Sequence, residues 1–149
     1  MSEAGAPVFS IEKIYMKDLS AEVPNGPQMF LEREPPSVEV GVQSEAKPLS
    51  QEGLFEVVLT VAVTAKIKDK TLFLVEVAQA GIFQIRNVPQ QDLGSLLGIA
   101  CPNTLFPYAR EAVSAAITRA GFPPVVLAPM SFEAIYQQQQ AQQQSSKLN

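Results

Sequence analysis

Histidine and tryptophan are absent from the 149 residues, and cysteine occurs once. Without histidine, a cysteine or serine nucleophile loses its usual general base, and a metal site loses its commonest ligand. Most hydrolase and metalloenzyme chemistries are excluded on that ground. The single Cys101 excludes an internal disulfide framework and fits a reducing compartment. It could become a thiolate at the start of a helix, where "CPNT" places it, but a free cysteine is more commonly a small buried apolar residue. No apolar run reaches the length of a membrane span, and "MSEAGAPVFSIEK" has neither a basic start nor an apolar signal core, so the expected location is the cytoplasm. No Gly-rich, Lys-containing phosphate loop occurs, and no cofactor is expected.

Charge is unevenly placed. Residues 1–56 carry ten Asp and Glu against four Lys and Arg, whereas residues 57–149 carry five against seven. An acidic first third repels phosphate backbones and argues against nucleic acid as a partner. It suits a basic protein surface, and it also serves as a solvated face.

Four segments read as strands. Residues 8–22 follow a rough period of two with one buried face. "SVEVGV" puts Val38, Val40 and Val42 on one side and Glu39 and Gly41 on the other. "LFEVVLTVAVTAKI" and "LFLVEVAQAGIFQI" form a long hairpin about the charged turn "KDK". Its first arm is apolar on both parities, which predicts a central strand covered on both faces, or one face covered by another subunit. On the second arm Leu72, Leu74, Glu76 and Ala78 share one face, and Phe73, Val75, Val77 and Gln79 the other. Between the first two strands, "EVPNGPQ" and "EREPPS" mark an irregular crossing segment that holds Phe30 and Leu31.

After a mixed, short helical connection comes a well-punctuated helix. Asn103 or Thr104 is the expected cap, Pro107 falls in the first turn, and Gly121 with two prolines stops it. Ala109, Ala112, Val113, Ala116, Ile117 and Ala120 form its packing stripe. "PPVVLAP" is an extended linker. Ser131 then caps a second helix with the stripe Phe132, Ile135 and Tyr136, which continues into "QQQQAQQQSSKLN" and is expected to lose order from about residue 142. Strands followed by helices, without βαβ alternation, predict an α+β domain with a four-stranded antiparallel sheet, a long packing helix and a second C-terminal helix. The expected organisation is a flexible N-terminus over 1–7, one domain over 8–136, and a Gln-rich polar tail over 137–149. Four strands under one long helix leave apolar positions without a partner in the monomer, which predicts oligomerisation or a binding groove.

"YMKDLS…EVPN", "FLVEV", "AGIF", "CPNTLFPYARE", "GFPP" and "LAPMSFEAIY" resemble the SecB family of bacterial protein-export chaperones, in order over residues 8–136. The resemblance implies a dimer of dimers that holds unfolded precursor polypeptides without ATP and delivers them to the SecA motor of the export channel. It assigns no chemistry to Cys101. It implies SecA binding by Asp18, Glu22, Leu74 and Glu76. A client groove would be lined by Phe30, Val38, Val40, Val42, Phe132, Ile135 and Tyr136. Tetramer contacts would come from Val75, Val77 and Gln79 with the 104–120 helix. Many members have Trp where this chain has Glu34, and Gly-Gly where it has Ala80-Gly81. A chaperone dedicated to one antitoxin is the alternative on the same scaffold, and a Cys101-dependent enzyme is a third reading.

Overall fold

In the computed structural model, which describes residues 5–148, strands β1 (Val8–Glu22), β2 (Ser37–Pro48), β3 (Leu54–Ile67) and β4 (Lys70–Arg86) form one antiparallel sheet in the order β1-β4-β3-β2. Helices α1 (Gln90–Ser95), α2 (Cys101–Arg119) and α3 (Phe132–Leu148) follow. The α+β architecture is the expected one. The expectation for residues 1–4 lies outside the described residues.

The hairpin creates the core. Val57, Leu59, Val61 and Val63 of β3 are fully buried on one face, and their β4 partners Gly81, Gln79, Val77 and Val75 lie beside them. Strict alternation puts these residues on the same side of the sheet, here called the inner face. Helix α2 lies across it, burying Leu105, Ala109, Ala112, Val113, Ala116 and Ile117. Gly81 permits the close approach, since a Cβ there would stand 2.8 Å from the Phe83 ring and 3.1 Å from Leu105.

Several local expectations are corrected. Within one chain β3 is covered on one face only, which leaves the alternative of cover by another subunit; Val58, Thr60 and Ala62 on the other face are half-buried. No residue of β1 is fully buried, because α2 lies mainly over β3 and β4 and only touches it; Phe9, Ile11, Met16 and Leu19 remain 40–48 % exposed. Leu72 does not share a face with Leu74, because a bulge between Ala65 and Lys66 in the β3–β4 pairing leaves Leu72 and Phe73 both buried. The long helix is not capped by Asn103 or Thr104. The π-helical turn Leu96–Ala100 runs from α1 straight into α2, and the Thr104 hydroxyl donates to the Ala100 carbonyl at 2.9 Å. Pro107 therefore lies inside the helix, on its exposed side, where the carbonyl it leaves free meets water. Ser131 does cap α3, accepting a hydrogen bond from Ala134 N–H at 3.1 Å. That helix continues through Leu148, past residue 142, consistent with the fair helix propensity of glutamine.

On the outer face, Glu56 is only 6 % exposed. The Tyr15 hydroxyl donates to its Oε2, and the Lys17 ammonium lies 2.9 Å from Oε1 and 3.0 Å from Oε2. Lys47 approaches from β2 at 3.6 Å. Donation by Tyr15, aided by the lysines, holds the Glu56 carboxyl below its ordinary value of 4.5 against the opposing cost of burial, and pushes Tyr15 up to about 12. A lowered folded pKa stabilises the protein above the unfolded value and loses that effect as pH falls through the folded one. Replacing Glu56→Gln should therefore cost about 1–3 kcal/mol at neutral pH. In urea melts, the gap from wild type should narrow as pH drops below about 4.5; a gap independent of pH would refute the linkage.

Candidate functional site

Two surfaces carry the residues expected to bind a client and a partner. The first is the inner side of β2. Val38, Val40 and Val42 pair with Ala65, Val63 and Val61, so all three point to the helix side, and α2 does not reach them. Val38 and Val40 are both 43 % exposed.

Two apolar grooves open along this strand. The larger, of about 460 Å³, is lined by Phe30, Val38, Ile67, Leu72, Phe73, Phe122 and the proline pair Pro123 and Pro124. Phe30 stacks on Phe122 at 4.9 Å between ring centroids, and Phe122 packs on Phe73 at 5.0 Å. Gly121, at φ +101°, makes room for the Phe30 ring, which an added Cβ would meet at 2.9 Å. Glu32 and Glu34 stand at the rim, with Glu34 3.4 Å from Lys68. The smaller groove, of about 160 Å³, holds Val42, Phe132, Ile135 and Tyr136 together with Leu97. The seven residues expected to share one groove are thus divided. Phe30 and Val38 line the larger, the last four the smaller, and Val40 lies between them on the strand. Four residue steps of strand separate Val38 from Val42, about 13 Å.

Phe73, Leu72 and Phe122 were missed as lining residues. "GFPP" reads as a helix stop, and its second role as an aromatic wall appears only when the crossing segment folds over it. Met29, buried at 5 %, anchors that segment through the short 3-10 turn Gln28–Leu31.

The second surface is the outer face near the far end of β4. Asp18 pairs with Ala78, Ser20 with Glu76, and Glu22 with Leu74. Glu22, Leu74 and Glu76 line one shallow depression, with Ser20, Ala62 and Thr64 between them. Asp18, Glu22 and Glu76 are exposed, as is Leu74 at 38 %. The four residues expected to act together therefore share one face. Val75, Val77 and Gln79 do not reach the surface. They are 1, 0 and 5 % exposed beneath α2, and the Gln79 amide donates to the Tyr15 carbonyl at 3.1 Å. They build the chain's own core, and any effect on assembly passes through the helix above them.

Cys101 is fully buried at the first position of α2, and burial pushes its thiol up to about 12. No cluster of three or more metal-ligating side chains is found among the described residues, and no helix among them is long and apolar enough to cross a membrane.

Grooves that run beside an uncovered strand accept the side chains of an extended chain, and the fold that carries them is a polypeptide-binding module. A family model described as "Preprotein translocase subunit SecB" matches residues 2–143. The chain is 64 % identical over 137 residues to the protein-export protein SecB of Chromobacterium violaceum, covering 92 % of this chain and 91 % of that one. It is 62 % identical over 142 residues to the protein of the same name from an Azoarcus species, covering 95 % and 93 %. The chain belongs to the SecB family and is a chaperone of the Sec export pathway. Among solved structures, the SecB-like chaperone of Mycobacterium tuberculosis bound to a peptide from an antitoxin superposes with a TM-score of 0.67 at 16 % identity, over 83 % of this chain and 91 % of that one. This likeness confirms the fold. The far higher identity to export proteins favours export over a dedicated antitoxin role.

Two outcomes follow. Gly94 and Gly98 form the notch that seats Tyr136; a Cβ on Gly98 would lie 2.4 Å from its ring. Gly98→Ala should therefore destabilise the protein by about 1–3 kcal/mol and expose α3 to proteolysis, whereas Gly41→Ala, with open space around it, should change neither. The Cys101 thiol should resist an aromatic disulfide reagent until denaturant is added; rapid labelling of the native protein would contradict its burial.

Proposed function

We propose that the protein is an ATP-independent holdase that binds unfolded precursor polypeptides in the cytoplasm and passes them to SecA, and that it performs no catalysis. The observation that carries this reading is the pair of apolar grooves flanking the bare inner side of β2. Apolar client side chains buried there contribute about 25 cal/mol per Å², and this term depends little on sequence. Groove residues Phe30, Val38, Val40, Val42, Phe132, Ile135 and Tyr136 hold the client, joined by Phe73 and Phe122.

A protein that holds by burial alone has no internal step for release. Release then comes from a partner, and the carboxylates Asp18, Glu22 and Glu76 around Leu74 suit a basic surface on SecA. The client and SecA occupy opposite faces of the sheet, so one does not displace the other.

The functional assembly we propose is a homotetramer, a dimer of dimers. Phe9, Ile11, Met16 and Leu19 lie bare on the inner side of an edge strand, and half-exposed Tyr108 projects from α2. Burial against further copies removes both an apolar patch and an unpaired edge.

Light scattering on a gel-filtration column tests the reading, with the protein alone and with a precursor diluted from denaturant. A mass of four chains that rises by one client only when the client is unfolded is the expected result. A monomer indifferent to unfolded chains would overturn it. The two faces should also separate by mutation. Phe30→Ala with Phe122→Ala should weaken client capture about tenfold or more and leave SecA affinity unchanged. Asp18→Asn with Glu22→Gln and Glu76→Gln should do the reverse. Equal loss of both activities in either variant would refute the separation.

A further inference from the structure

Strand β1 changes parity twice, at slips between Ile11 and Lys13 and between Met16 and Asp18. Tyr15 pairs with Ala80 and points to the outer face, and Met16 pairs with Gln79 and points inward. Strict alternation from Tyr15 would send Lys17, Leu19 and Ala21 outward and turn Asp18, Ser20 and Glu22 toward the helix side. The register instead slips between Met16 and Asp18, leaving Lys17 as the extra residue of a β-bulge. Beyond it, Asp18, Ser20 and Glu22 face outward opposite Ala78, Glu76 and Leu74, while Leu19 and Ala21 face inward opposite Val77 and Val75. An earlier slip between Ile11 and Lys13 has already inverted the alternation set by Phe9 and Ile11, so with that slip in place the second one is what returns Asp18, Ser20 and Glu22 to the outer face.

The bulge residue is itself fixed. Lys17 reaches across β4, where Ala78 and Ala80 offer only methyl groups, to the buried carboxylate of Glu56 on β3. It contacts both oxygens, and Tyr15 donates to the same carboxylate from the other side of the bulge. A residue in a bulge has no ladder partner on the neighbouring strand, so a long-range anchor decides whether the slip stays there or migrates.

We propose that Lys17 and Glu56 are positioning residues for the partner-docking face: their ion pair pins the bulge and thereby turns Asp18 and Glu22 outward beside Glu76. The proposal rests on the reading of that face as the SecA-binding surface. Neither residue touches the partner in this arrangement. Their effect passes through the direction of β1.

The test uses the full-length protein with Lys17→Met, Lys17→Arg and Glu56→Gln. Three readouts are needed: affinity for purified SecA, capture of an unfolded precursor, and the cross-strand Asp18–Ala78 contact seen by NMR on perdeuterated protein. Lys17→Met and Glu56→Gln should weaken SecA binding about tenfold, the effect of misplacing one well-set charge pair. Both should lose or broaden the Asp18–Ala78 contact and capture the precursor as wild type does, which shows that the fold survives. Lys17→Arg, which keeps a donor in reach of Glu56, should restore both docking and contact. Persistence of the Asp18–Ala78 contact in Lys17→Met, or equal losses in the Met and Arg variants, would overturn the proposal. If the triple carboxylate variant docks like wild type, the reading of the acidic face fails instead, and the NMR contact still decides whether Lys17 holds the bulge.

Discussion

The packing of α2 on the two central strands is the constraint from which the remaining surfaces follow. One helix of 19 residues can cover about two strands of a sheet, and here it covers β3 and β4. The inner sides of β1 and β2 are left bare although their sequences are apolar there. Removal of a large core side chain under α2, such as Leu59 or Leu105, would therefore disturb more than stability. It would alter the helix position that keeps the flanking strands open.

The two bare flanks acquire different surroundings. Along β2, the crossing segment folds back so that Phe30 stacks on Phe122, and α3 closes the other end through Tyr136. The result is a strand with walls, suited to an extended chain. Along β1 no such wall forms. Its inner residues Phe9, Ile11, Met16 and Leu19 stay 40–48 % exposed on a free edge, which suits burial against a second copy. Neither flank needs a special fold; each follows from where the chain's excursions return to the sheet.

Much of this was legible in the sequence because strand signals are local. The limits of β1, the alternation of Val38, Val40 and Val42, and the long hairpin depend on neighbouring residues, and the structure has them where the pattern puts them. What was hidden depends on distant contacts. The start of α2 was misplaced because its capping residues are good caps only when nothing helical precedes them, and a π-helical turn does. Leu72 was given the wrong face because a bulge leaves no compositional mark. The outward direction of Asp18 and Glu22 was reached through family resemblance; the period of two set by Phe9 and Ile11 carries through to them only because two slips in β1 cancel, and neither slip leaves a mark in the composition. Phe122 and Phe73 escaped notice as groove residues because an aromatic wall is a property of two segments brought together, one of them read only as punctuation.

The proposed separation of a docking face from the client grooves bears on how a passive binder can still drive directional transfer. A client held only by apolar burial leaves at a rate set by how much surface it covers, and nothing inside the chain couples that rate to another event. A docking face on the same side as the grooves would compete with the client, and binding the partner would eject the cargo into solvent. Under the proposed assignment of the partner to the carboxylates of the outer face and of the client to the inner grooves, the partner binds while the client remains held. Affinity for the partner then concentrates client and acceptor in one complex, and the client's next dissociation delivers it to a neighbour at high effective concentration. Direction is supplied by that proximity together with whatever the acceptor does next. The second slip in β1, by offsetting the first, keeps the carboxylates and the grooves on opposite sides of a single sheet.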